Sequence, residues 1–167
     1  MQKILVTGSN GLLGQKLTDL YLQNPEVELI ATARGANRHP ASEGYVYAEM
    51  DITNQAEVEA VIAKHQPNVI IHGAAMTNVD ACELDSETCE LLNVTATKYI
   101  TNAANMVKAH MILVSTDFIF DGENGPYAED AVTEPLSIYG HSKLKAEEIV
   151  QNEATSWAIA RTVLVYG

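Results

Sequence analysis

The chain has 167 residues, 47% of them apolar, with no low-complexity run, which suits one domain with a substantial core. Its formal charge of −12 and lack of a basic cluster exclude a nucleic-acid partner, so an anionic ligand needs a locally built site. No apolar run approaches a membrane span, and residues 1–8 pass from one lysine straight into a glycine loop without a signal-peptide pattern. A cytoplasmic protein with no membrane partner is therefore expected.

In chain order, residues 3–6 read as a strand. Residues 12–24 read as a helix with Leu13, Leu17, Leu20 and Tyr21 at helical spacing, stopped by Pro25. Between them, Thr7-Gly8-Ser9-Asn10-Gly11-Leu12-Leu13-Gly14 is GxxGxxG, directly after a strand and opening a helix. The first glycine permits a tight turn, the second lets backbone approach a pyrophosphate, and the third lets helix pack on strand. The free N–H groups of the helix start then face phosphates. Gly8, Asn10, Gly11, Leu12, Leu13 and Gly14 are the expected cofactor contacts of this loop.

Residues 27–33 form a second strand, rich in branched side chains. Where readers of NAD place an acid on the ribose, Ala31-Thr32-Ala33 has none, and Arg34 follows at once with Arg38 close behind. An arginine there can fork onto a 2′-phosphate, so NADPH is the expected cofactor, with NADH the alternative. A polar loop, 34–44, leads to a weaker strand at 45–50 and a helix at 54–65. Val58, Val61, Ile62 and His65 share one face of that helix, and Asn54 and Glu57 have capping-box spacing. Asp51-Ile52 either meets the adenine, by a hydrogen bond and by packing, or Asp51 helps to cap the helix at 54.

Pro67-Asn68 introduces a fourth strand, 69–72, followed by Gly73-Ala74-Ala75. The small Ala74 and Ala75 either let the chain lie against the dinucleotide or serve strand–helix packing. A long helix is expected over 86–105, a fifth strand over 111–115, a Gly/Pro/acid loop over 121–134, a helix over 138–151 and a sixth strand over 157–165. This alternation gives an α/β class with a Rossmann-like, doubly wound parallel sheet and helices on both faces. Cys82 and Cys89, without a CxxC or a histidine pair, point to neither a disulfide framework nor zinc, and the five histidines show no metal spacing. GxxxxGK[ST] and GxSxG are both missing, which removes P-loop and nucleophile-elbow chemistry. His65 is expected half-buried and His141 solvated.

Tyr139-Gly140-His141-Ser142-Lys143 is YxxxK at a helix start, which puts phenol and ammonium on one face. The cation is expected to lower the phenol pKa so that Tyr139 exchanges a proton with a carbonyl oxygen, while Lys143 holds ribose hydroxyls. Ser115-Thr116-Asp117 closes the fifth strand, where such sheets present functional groups. Thr116 can polarise the reacting oxygen, and Asp117 can accept from a sugar hydroxyl.

The run Val114-Ser115-Thr116-Asp117-Phe118-Ile119-Phe120-Asp121-Gly122 resembles the STDYVFDG signature of the dTDP-4-dehydrorhamnose reductases. Pro126-Tyr127-Ala128-Glu129, residues 135–143 and residues 74–83 are similar to further segments of that family, in order along the whole chain. The resemblance implies an extended short-chain reductase that delivers hydride from NADPH to the C4 keto group of a nucleotide-linked deoxysugar. It makes Thr116, Tyr139 and Lys143 the catalytic set and puts Asn78, Val79, Thr116 and Asp117 near the substrate. Phe118 replaces the family's tyrosine. The family's C-terminal sugar-nucleotide domain would follow residue 167 and is expected to lie outside this chain; the surface left apolar would favour a homodimer. An NAD-dependent epimerase or dehydratase shares the loop and YxxxK, and the similar regulatory subunit of methionine adenosyltransferase offers a non-catalytic NADP-binding reading.

Overall fold

The computed structural model describes residues 1–166; Gly167 lies outside the described residues. Six strands form one all-parallel sheet in the order β3-β2-β1-β4-β5-β6: β1 Gln2–Thr7, β2 Val27–Ala33, β3 Val46–Glu49, β4 Val69–His72, β5 His110–Thr116 and β6 Trp157–Thr162. Six helices connect them: α1 Leu12–Leu22, α2 Gln55–His65, α3 Val79–Leu84, α4 Ser86–Glu90, α5 Ala96–Val107 and α6 Ile138–Glu153. The strand order reverses between β1 and β4, and a crevice opens there beyond the carboxyl ends of the strands. No helix among the described residues is long and apolar enough to cross a membrane.

Central strands are buried on both faces, so they read as near-continuous apolar runs. Leu5, Ile30, Ile70, Met111 and Leu113 pack against Val58 and Ile62 of α2, Ile100 of α5 and Val150 of α6. Ile4, Val6, Leu29 and Ile71 face the other way, onto Leu17 and Tyr21 of α1. Thus α2, α5 and α6 cover one face of the sheet and α1 the other.

Four expectations need correction. First, α1 ends at Leu22, and its apolar spacing holds only in part: Leu17 and Tyr21 pack against the sheet as expected, but Leu20 is 59% exposed and Gly14 and Thr18 are the fully buried positions. The helix lies so close to the glycine loop that only small residues fit beneath it. Second, the capping box is incomplete. The Asn54 side chain accepts from Glu57 N, but the Glu57 carboxylate accepts from Asp51 N rather than from Asn54 N.

Third, the expected helix over 86–105 is continuous, from Ser86 to Val107, but it is not α-helical throughout. A π-helical turn, Leu91–Thr95, separates α4 from α5, and α3 precedes them unforeseen. The extra residue of the turn turns Asn93 inward, a displacement π-turns supply at functional sites. Fourth, β6 stops at Thr162, where its partner β5 stops at Thr116; the remaining residues of the expected strand, Val163, Leu164 and Val165, run unpaired along the crevice.

Candidate functional site

The crevice is a cleft of about 760 Å³, in the range of a small-molecule or cofactor site. Gly8, Gly11, Leu12, Leu13 and Gly14 line one wall, and Arg34, Asp51 and Ile52 lie at one end. Ala74, Ala75 and Val79 line the cleft next to the glycine loop, and Thr116, Tyr139 and Lys143 stand at the other end, beyond β5.

The glycine loop is built as its sequence requires. Gly8 has φ +74°, a conformation side chains resist, and a Cβ there would sit 2.9 Å from Ala74 Cα. A Cβ on Gly14 would stand 2.5 Å from Ser9 Cα and collide with the Gly8 carbonyl oxygen. All these neighbours are backbone and cannot swing aside. Gly14→Ala is therefore expected to push α1 off the sheet at a cost of about 1–3 kcal/mol and to spoil the cleft wall. Chemical denaturation checks the first effect and nucleotide titration the second. Gly11, the N-cap of α1, has no side chain to cap the first turn, so the N–H groups at this helix start remain available to an anion.

Three expected residues do not line the cleft. Asn10 Nδ2 donates to Ala36 O at 3.0 Å, and its Oδ1 accepts from Arg38 N at 2.9 Å, so it pins the 34–44 loop to the glycine loop. Asn78 caps α3, accepting from Ala81 N at 2.9 Å. Asp117 Oδ1 accepts from Thr116 Oγ1 at 3.2 Å. These are local hydrogen-bonding tasks that such residues commonly perform. Asp51 does not cap α2 either; its Oδ1 accepts from Thr53 N and Thr53 Oγ1 at 2.9 and 2.7 Å, which hold its carboxyl below the usual carboxylate range. Arg34 is exposed on the rim and forms no ion pair among the described residues.

At the other end, the expected electrostatics fail in one respect. The Tyr139 phenol is raised, not lowered: burial is the main cause, and the Thr116 hydroxyl beside it opposes the rise. Lys143 is not among the groups that shift it; the Lys143 Nζ donates to Val114 O at 2.7 Å. Lys143 itself is buried and pulled down to about 8, chiefly by that burial, with Glu147 working against the shift. Tyr139 thus stays protonated at neutral pH and is set to give a proton.

Three further residues shape this end. Phe118 stands edge-on to Tyr139, ring centroids 5.7 Å apart, and Gly140 lets α6 approach the Phe118 carbonyl, which a Cβ would strike. Asn93 is 1% exposed: its Oδ1 accepts from Met76 N at 2.7 Å, while its Nδ2 donates to Met76 O and Ser142 Oγ at 3.0 and 2.9 Å. One side chain thereby joins the cleft wall, the π-turn and α6. Its signal in the sequence is an amide in mid-helix beside three nearby threonines, residues that compete with regular helix bonding.

The family described as the RmlD substrate binding domain matches residues 1–167. A dTDP-4-dehydrorhamnose reductase from Aggregatibacter actinomycetemcomitans is 34% identical over 100% of this chain and 53% of its own length. Methionine adenosyltransferase 2 subunit beta from Xenopus tropicalis is 35% identical over 99% of this chain and 48% of its own. The crystal structure of a dTDP-4-dehydrorhamnose reductase from Bacillus anthracis in complex with NADP superimposes with a TM-score of 0.83 at 30% identity, covering 100% of this chain and 55% of that one. The chain spans about half the length of the relatives it matches.

Proposed function

The chain belongs to the RmlD substrate binding domain family, and from that premise we propose that it forms the nucleotide-holding part of an NADPH-dependent reductase of a nucleotide-linked 4-keto-6-deoxy sugar. The observation that carries the reading is convergence. The open helix start, the unpaired Arg34 and the Thr116/Tyr139/Lys143 set all face one cleft. The cradle left by Gly8, Gly11 and Gly14 suits a pyrophosphate, and Arg34 suits a 2′-phosphate.

NADPH, when bound, supplies the hydride for the keto carbon. Tyr139 Oη gives its proton to the keto oxygen, and Thr116 Oγ1 donates to the same oxygen as charge develops on it. Lys143, one helical turn from Tyr139, holds the ribose hydroxyls. Val79 contributes to the sugar's side of the cleft. The relative that is a methionine adenosyltransferase subunit supports a second reading, a nucleotide-binding subunit without turnover; the intact Thr116/Tyr139/Lys143 set favours catalysis.

Arg34→Ala is expected to reduce the preference for NADPH over NADH by about 10–100-fold, since a hydrogen bond to a charged group contributes about 1.5–3 kcal/mol. Fluorescence titration with both nucleotides reads it, and equal losses for the two would remove the 2′-phosphate assignment. Consumption of NADPH with a dTDP-4-keto-6-deoxy sugar, abolished in Tyr139→Phe, separates the reductase from the subunit reading.

A further inference from the structure

Two thiols lie behind the cleft wall and have no part in the reading above. Cys82 in α3 and Cys89 in α4 are both fully buried and free, and their sulfurs stand 2.6 Å apart. In a continuous helix, residues seven apart are separated by about 10 Å along the axis. The chain breaks at Asp85, where φ is −139° and ψ 75°, and folds α4 back against α3. Asp85 then caps α4, its Oδ1 accepting from Thr88 N at 3.0 Å. The contact is a product of that break, which spacing alone does not reveal.

We propose that Cys82 and Cys89 are a dithiol modification site that a two-electron oxidant closes to an intrachain disulfide, stapling α3 to α4 beneath Tyr139. The surroundings accept the product. The Cys82 thiol donates to Met76 O at 3.7 Å and the Cys89 thiol to Ser142 Oγ at 3.5 Å. Both acceptors keep the Asn93 amide as donor, at 3.0 and 2.9 Å, so losing two S–H groups leaves no buried oxygen unserved. Both sulfurs also pack with Tyr139, Met76, Val79 and Ile138, so the staple ties the cleft wall at Val79 to the first turn of α6.

With a peroxide as oxidant, one thiolate sulfur attacks the peroxide, the O–O bond breaks, and a sulfenic acid and water result. The second sulfur then attacks the first, the S–S bond forms, the S–O bond breaks, and a second water leaves. Two electrons pass from the thiols to the peroxide. Burial pushes the Cys82 thiol up to about 12, so the closed segment is slow to react. Access comes through the six-residue α3 and the link after it: residues 83–87 are all exposed, and opening this one segment uncovers both sulfurs.

The test treats the reduced chain with hydrogen peroxide or diamide and then counts thiols, maps peptides and measures Tm. The expected result is loss of both thiols without intermolecular cross-links, and a mass lower by two hydrogens in the peptide spanning 82–89. Tm should rise by about 5 °C, and dithiothreitol should reverse all three changes. Cys82→Ser and Cys89→Ser should each show neither the mass loss nor the Tm rise. Thiols that stay free, sulfinic acids without a cross-link, disulfides between chains, or a lower Tm would each overturn the proposal.

Discussion

Arg161→Met is expected to remove about 3–5 kcal/mol of stability, because it leaves a buried carboxylate without its partner. Glu147 is 1% exposed. Its two oxygens accept from Arg161 Nε at 3.1 Å and Nη2 at 2.8 Å, a two-pronged pair with the geometry of a strong charge-assisted bond. That pair holds the Arg161 guanidinium above its ordinary pKa, so it stays charged throughout the accessible range. The third nitrogen, Nη1, donates to Glu129 O at 2.7 Å, and the guanidinium lies 5.5 Å from the Phe120 ring, which stacks on Tyr127.

One arginine on β6 therefore fixes both α6 and the acidic loop after β5. Glu147, Lys143 and Tyr139 are spaced four apart on α6, so the pair also sets the rotation of the helix that carries the proposed proton donor. Urea denaturation of Arg161→Met should show the loss directly, with Tm lower by about 10 °C for a chain of this size. The double variant Glu147→Leu, Arg161→Met should recover most of it, because a well-packed apolar replacement removes both charges together. A loss below about 1 kcal/mol in the single variant, within the range of an exposed pair, would contradict the account.

The parts of the molecule that depend on near neighbours were legible in the sequence. β2 and β4 match their apolar runs residue for residue, since a strand covered on both faces has no polar face to blur its ends. The glycine loop was legible for a similar reason: each glycine is required by backbone within the same loop or by the adjacent wall at Ala74. What was not legible depends on which partner a side chain takes and how deeply the fold buries it. The π-turn exists around Asn93, whose bonds reach Met76 and Ser142, 17 and 49 positions away. The Tyr139 phenol has the opposite shift from the one expected because the fold buries it, and that burial outweighs the neighbouring Thr116 hydroxyl. Asn10, Asn78 and Asp117 have the residue types of a binding site, but short polar side chains also cap helices and pin loops. Only their hydrogen-bond partners separate the two roles.

His72, at the carboxyl end of β4, should make the fold acid-sensitive in a way one variant can isolate. The imidazole is fully buried, and its partners fix its tautomer. Thr97 Oγ1 gives its proton to Asn93 O at 2.6 Å, so it must accept from His72 Nε2, 3.2 Å away. Nδ1 is then the acceptor, and Thr7 Oγ1, at 2.8 Å, donates to it while accepting from Ala74 N at 3.2 Å. This relay of neutral hydrogen bonds joins the cleft wall at Ala74 to the π-turn at Asn93. A proton on Nδ1 would turn Thr7 away from its acceptor and bury a charge near the Lys143 ammonium. Burial, and secondarily that ammonium, accordingly hold the pKa down at about 3 against an ordinary 6.5. A group whose folded pKa is depressed contributes stability that is fully present above 6.5 and is lost as pH falls through about 3. The loss over that window is about 4–5 kcal/mol, at roughly 1.4 kcal/mol per pH unit. His72→Gln cannot take up a proton there, so it should be less stable than the parent at neutral pH but show a shallower fall between pH 6.5 and 3. Denaturation midpoints across that range decide the matter: parallel curves for parent and variant would mean that His72 is not the buried neutral base the relay requires.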